Sequence, residues 1–432
     1  MKRVLRDLFV STLEALAPER VVPLRLIRDG GWLQVDARRV RLAGIERIRV
    51  LSVGKAAHNL VDATYALLCH ENVSGMVVAT APPERPIPGV EVHIGSHPYP
   101  DAGSFAAAEA ALRFATECTA DDLALFLISG GGSSLVEKPI SDAIGLEDCR
   151  AFYELLVTCG ANIVDMNVLR KHLSSIKGGR LALAASPARQ VTAYICDVPA
   201  EHPSAVASGP TMPDESSVAD CRSIVDRLGL RGRLPQSIRD MFDSGAVPET
   251  PKPDDPAFAR CSWHRLLGTE EALAELASRA GAHGWFVETD MSVDDWPVDD
   301  AIDHLLDRLD GLRSAHPGRT VALLTGGELS CPVTGDGRGG RNQVFVLRCA
   351  TRIAGRNVAV MSAGTDGIDG NSASAGAVAD GSTIDRATRL GLDPAECDRR
   401  SDSSTFFARL GDDLTTGPTG NNVRDLRVLV AW

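Results

Sequence analysis

Ten cysteines are scattered through the 432 residues without one Cys-x-x-Cys pair. The chain is therefore neither a disulfide framework nor a carrier of closely spaced zinc ligands, and free thiols in a reducing cytosol are expected. The ten histidines are equally dispersed, with no His-Glu-x-x-His. A basic tract is also missing: 45 Lys and Arg face 57 Asp and Glu, a net charge of −12. Duplex DNA is a poor partner for such a chain, because its binding rests on neutralising phosphates. A small anionic substrate remains compatible, since a local pocket can oppose the net field. No stretch approaches the roughly 20 apolar residues that span a bilayer. Arg6, Asp7 and Glu14 interrupt any apolar leader core. No internal repeat is visible. A soluble, cytoplasmic protein is expected, without nucleic-acid or membrane partners; small-molecule substrates and a monomer or homodimer are the further expectations, the oligomeric state not being fixed by these absences.

What is present is ordinary in amount and regular in order. With 44% hydrophobic and 24% charged residues, disordered, collagenous and coiled-coil classes are excluded. The length asks for at least two cores. Leu5, Leu8, Phe9, Leu13 and Leu16 recur at helical spacing and predict an amphipathic surface helix. Apolar runs at 48–53, 76–79, 123–128, 191–196, 321–324 and 358–361 are unbroken by charge. Such runs fit strands covered on both faces, hence parallel sheets. Helical stretches fall between them at 105–118, 146–159 and 270–280, the last opening on Thr269 as N-cap with Glu270 and Glu271 in its first turn. The fold class is α/β. Residues 244–257 hold Pro248, Pro251, Pro253 and Pro256, too many for a helix or central strand. They read as an inter-domain linker between a domain over 1–245 and another over 258–432. The segment 288–310 carries nine acids against Arg308 alone and reads as a solvated face, with a metal site as the alternative.

Polar clusters follow the apolar runs, where open α/β sheets bind ligands. Lys55, in Ser52-Val53-Gly54-Lys55-Ala56-Ala57, sits at an expected helix start, where backbone N–H groups and the ammonium both favour an anion. Ala56 stands where a phosphate loop would need Ser or Thr. Ser129, Gly130, Gly131, Gly132 and Ser133 form a glycine run that lets backbone approach a ligand and can make an anion nest. Arg170, Lys171, Lys177 and Arg180 crowd four cations into eleven residues. Asp197 precedes Val198-Pro199 at a strand end and can act as general base or magnesium ligand. Gly326, Gly327 and Glu328 lead to a Gly-Arg-rich stretch with Gly339, Gly340, Arg341 and Asn342, then to Asp366 and Asp369. There, glycine beside arginine suits backbone plus guanidinium on an oxyanion. Gly335-x-Gly337-x-x-Gly340 formally satisfies a dinucleotide fingerprint, although Pro332 breaks the strand that should precede it.

Taken in order, SVGKAA, SGGGSSL, VLRKHLSSIKGGRLA, DVP with ASGPT, TGGELSCPVTGDGRGGRNQ, AGTDGIDG and TGPTGNNVRDL span about Lys55 to Leu426. This set resembles the glycerate 2-kinases that carry a C-terminal MOFRL domain. The resemblance implies an N-terminal Rossmann-like domain, a C-terminal three-layer α/β/α domain, and an active site in the cleft between them. It implies transfer of the γ-phosphoryl of ATP to the 2-hydroxyl of D-glycerate, with Mg2+. It assigns catalysis to Lys55 and Arg341, and leaves Asp197 as base or as metal ligand with Glu328 and Asp366. Substrate or nucleotide contacts are expected from Ser129 to Ser133, Lys177, Gly326, Gly327, Gly339, Gly340 and Asn342. Departures occur at Cys196, Ala200-Glu201, Asn371 to Ser374, Thr80 to Pro83, and Asn421. They keep open a kinase for another short hydroxy acid, and relatives named hydroxypyruvate reductase supply a further alternative.

Overall fold

In the computed structural model, which describes residues 1–68 and 71–432, the chain divides into two units. One is Pro18–Leu266; the other combines Met1–Ala17 with Leu267–Trp432. This differs from the expected division in two ways. The helix Lys2–Ala15, amphipathic as its spacing predicts and burying Leu5, Leu8 and Phe9, belongs with the C-terminal residues. The proline-rich segment is no linker, because it folds back inside the first unit. There Asp214 N–H donates to the carbonyl of Pro251 at 3.0 Å and the Thr250 hydroxyl to Asp214 Oδ2 at 3.0 Å. The strand Cys261–Leu267 then joins the edge of that unit's sheet.

The sheet of Pro18–Leu266 runs in the order Val90–Ile94, Val73–Ala79, Arg47–Val53, Asp122–Ile128, Arg189–Ile195, Cys261–Leu267. Numbered along the chain, this is 3-2-1-4-5-6, the Rossmann order. The ladders joining the first five are parallel, as their continuous apolar runs require. Chain direction across the sheet reverses between Arg47–Val53 and Asp122–Ile128. The loops leaving the carboxyl ends of these two neighbours diverge there and open a crevice. Those loops are the Gly54-Lys55 and Ser129–Gly132 clusters.

The second sheet runs Phe286–Thr289, Val321–Gly326, Asp425–Ala431, Val358–Gly364, Gly376–Asp380, Asp413–Leu414. Here the expectation of parallel pairing fails. Only the first pair is parallel, and Asp425–Ala431, absent from the expected strands, runs antiparallel to both neighbours. Alternation sorts its faces. Val321, Leu323, Val358, Val360 and Leu429 pack into one core with the helices Val298–Ala315 and Arg341–Arg352, while Lys2–Ala15 and Thr269–Ala282 pack together on the sheet. The N-cap of Thr269–Ala282 is Gly268 rather than Thr269, whose hydroxyl instead donates to the Val423 carbonyl at 3.1 Å. The acids of 288–310 meet arginines: Arg308 bridges Glu288 and Asp290, Arg348 reaches Asp299, and Arg424 reaches Asp294. Among the described residues no helix is long and apolar enough to cross a membrane.

Candidate active site

In the Rossmann-like unit the site is built at the switch point by two loops that hold each other. Lys55 N–H donates to the Gly130 carbonyl at 2.9 Å. Ala56 N–H donates to Ser129 Oγ at 3.1 Å, so Ser129 fixes the start of the helix Ala57–Leu67. Gly54 has φ +124°, and a Cβ there would collide with Ser129. At Gly130 a Cβ would lie 2.0 Å from Asp197 Oδ2; at Gly131, with φ +84°, it would lie 3.1 Å from Lys55 Cγ and 3.2 Å from His97 Cδ2. Bare backbone at two consecutive glycines therefore lets the Asp197 carboxylate, the Lys55 side chain and the His97 ring pack directly on the loop. Ser133 Oγ pairs with Ser208 Oγ at 2.7 Å, and Ser208 donates onward to Asn167 Oδ1 at 2.8 Å. Ala207 and Ser208 both take positive φ, a strained pair of the kind that clusters at functional sites.

His97 carried no mark in the sequence beyond following a strand end. Burial, then the charges of Lys55 and Arg170, push its pKa down to about 4. Arg170 lies over the Tyr153 ring, 4.7 Å from its centroid. The other cations of the 170–180 cluster are committed to the protein. Lys171 pairs with Asp214 at 3.1 Å, and Arg180 donates to the carbonyls of Lys171 and Glu249. Lys177, expected to touch a ligand, is 1% exposed. Its ammonium lies 2.6 Å from Glu137 Oε2, an internal ion pair; this corrects the expectation.

In the other unit Arg341 is the first residue of the helix Arg341–Arg352. Its Nε donates to Asp425 Oδ2 at 2.6 Å and a terminal nitrogen lies 2.8 Å from Glu328 Oε1. Asp425 is also held by the fully buried Arg427 at 3.2 Å. The two arginines hold Asp425 below the usual carboxylate range against its burial. Asp369 accepts the backbone N–H groups of Asn342 and Gln343. Burial pushes its pKa up to about 7 against those two donors. Arg341, Gly339, Gly340, Asp366 and Ile368 line a cleft of about 510 Å³. Two expected contacts are packing residues instead. Gly326 is buried where a Cβ would strike the Thr269 methyl, and Asn342, 1% exposed, accepts from the Ser362 hydroxyl at 2.5 Å. Gly327, also buried, gives its carbonyl to Arg427 at 3.0 Å.

The dinucleotide fingerprint is not formed. Gly335 and Gly337 pack against the carbonyl of Arg400, and Gly340 against the Asp369 carboxylate. That carboxylate occupies the helix N-terminus where a pyrophosphate would sit. Among the described residues no three His, Cys, Asp or Glu side chains are grouped to hold a metal ion.

Residues 4–243 match the family model described as Domain of unknown function (DUF4147), and 321–425 match the MOFRL family. The chain is 30% identical to D-glycerate 2-kinase of Thermotoga maritima, over 99% of this chain and 97% of that one. It is 36% identical to a putative hydroxypyruvate reductase of Agrobacterium vitis, covering 89% and 87%. The crystal structure of glycerate kinase from Thermotoga maritima superposes with a TM-score of 0.85 at 30% identity, covering 100% and 99%. The chain belongs to the glycerate 2-kinase family whose members pair this N-terminal domain with a C-terminal MOFRL domain.

Proposed function

We propose that the protein transfers the γ-phosphoryl group of ATP to the 2-hydroxyl of D-glycerate, giving 2-phospho-D-glycerate and ADP. The observation that carries this reading is the switch-point cluster, with Lys55 on Gly131 and Asp197 on Gly130, in a chain aligned end to end with a D-glycerate 2-kinase. Phosphoryl transfer asks for positioning and charge neutralisation more than covalent chemistry. Asp197 accepts the proton of the attacking hydroxyl, the new O–P bond forms, and the bond to the leaving ADP oxygen breaks. Lys55 and Arg341 neutralise oxyanion charge, and Arg341 is kept in one orientation by Asp425. Magnesium comes with ATP, because that ion keeps phosphate and water ligands and needs only one or two carboxylates. Where Asp197 is not the base, its carboxylate would suit the ion in the Rossmann-like unit; in the other unit Asp366 and the Arg341-paired Glu328 would suit it.

The reductase reading is disfavoured by the Asp369 carboxylate at the helix N-terminus. A kinase for another short hydroxy acid rests on the departures at Asn371 to Ser374. A coupled assay of ADP release over a panel of short hydroxy acids, run beside NADH oxidation with hydroxypyruvate, separates the three. Phosphorus NMR of the product should show 2-phosphoglycerate. A 3-phospho product, or hydroxypyruvate-dependent NADH loss without ADP release, overturns the assignment.

A further inference from the structure

Among the described residues Arg170 makes no hydrogen bond or ion pair, and its Nε is buried without a partner. The neighbouring cations of its segment differ in this respect: Lys171 and Lys177 each have a buried carboxylate. An unpaired guanidinium beside a low-dielectric wall is costly unless a ligand completes it. Its position is built rather than incidental. Arg170 and Asn167 lie three residues apart on the helix Ile163–His172, hence on one face, and both lead to Ser133. Asn167 does so through Ser208. Arg170 does so through Tyr153, whose ring it covers and whose hydroxyl donates to the Ser133 carbonyl at 2.9 Å. Ser133 continues the glycine loop whose Gly131 packs on Lys55 and His97.

We infer that Arg170, with His97, recognises the carboxylate of the acceptor acid, an inference that rests on the kinase reading above. The planar guanidinium, lying over the Tyr153 ring, matches a carboxylate in two parallel hydrogen bonds, which an ammonium cannot do. The neutral imidazole adds a donor without competing charge. Such a pair selects hydroxy acids against neutral polyols of the same length.

Arg170→Gln should raise KM for D-glycerate about 10- to 100-fold, the loss typical of a charge-assisted hydrogen bond, with KM for ATP and kcat little changed. Arg170→Lys should recover only part of the loss. A KM for D-glycerate equal to wild type overturns the inference, as does a rise confined to KM for ATP, which would place Arg170 on nucleotide phosphates. Should the variants fail to fold, the wild-type protein carries the test: without nucleotide, D-glycerate should shift the His97 ring NMR signals to saturation and glycerol should not. Equal shifts from both, or none from D-glycerate, overturn it. If wild type releases no ADP with D-glycerate, the kinase reading falls by itself. Titration of other short 2-hydroxy acids onto the His97 signals then decides the carboxylate site separately, and silence from all of them ends it.

Discussion

Asp369 caps the helix from which Arg341 projects: its carboxylate oxygens accept the N–H of Asn342 at 3.1 Å and of Gln343 at 2.8 Å. The residue that orients the guanidinium, Asp425, lies on the adjacent strand Asp425–Ala431. The cation is thus fixed from two sides, its backbone by Asp369 and its side chain by Asp425.

Removing this cap with Asp369→Ala should lower stability by about 1 kcal/mol, as for other lost helix caps, read from urea unfolding. The pH dependence has a definite sign. A carboxyl pushed up to about 7 keeps its proton in the fold after the unfolded chain, near 3.9, has lost it. Its contribution is therefore present at low pH and lost as pH rises through 7. Asp369→Asn should remove that slope, gaining on wild type between about pH 4 and about pH 7. Parallel pH profiles for the two proteins contradict this.

Lys55→Ala should reduce kcat by at least about 100-fold, the usual loss of one transition-state stabiliser, while the protein still folds. Arg341→Ala should lose as much turnover and also about 1–3 kcal/mol of stability, because buried Asp425 gives up a partner. Near wild-type turnover for either variant removes that residue from the mechanism.

The His97 ring should titrate near 4 in an NMR pH series. Since its folded value lies below the unfolded one, this group's contribution to stability is lost as pH falls from about 6.5. Lys55→Gln should move the ring's pKa upward, because Lys55 is one of the two cations holding it down. An unmoved value would place Lys55 out of electrostatic reach.

Lys177→Ala tests the ion pair with Glu137. Breaking one side of a buried pair costs about 3–5 kcal/mol, so the variant should unfold at much lower urea. A selective rise in KM at normal stability would restore the ligand-binding role.

Secondary structure was legible where hydrophobic runs were long and uninterrupted. The runs at 48–53, 123–128 and 358–361 became Arg47–Val53, Asp122–Ile128 and Val358–Gly364. Asp425–Ala431 escaped because Asp425 and Arg427 break its apolar pattern, and their mutual neutralisation inside the fold appears only in three dimensions. Lys177 misled for the same reason. Its partner Glu137 lies 40 residues away, and charge counted along the chain cannot show which cations are already answered. The loops bearing Lys55 and Gly130 to Gly132 were readable because glycine and strand ends mark a crevice. His97 was not, because it carries no motif, and Arg170, marked only as one of four crowded cations, could not be told along the chain from neighbours that are already paired.

The strand Asp425–Ala431 lies inside its sheet, between Val321–Gly326 and Val358–Gly364, and every other strand of that sheet precedes it in the chain. During synthesis the insertion Pro18–Leu266 can complete its own sheet while Lys2–Ala15 still lacks the surface it covers. At about 5–20 residues per second, that helix waits roughly 20–80 s on the ribosome with Leu5, Leu8 and Phe9 uncovered. The nascent chain thus displays an amphipathic segment that a chaperone can hold, and translation speed becomes a determinant of folding yield.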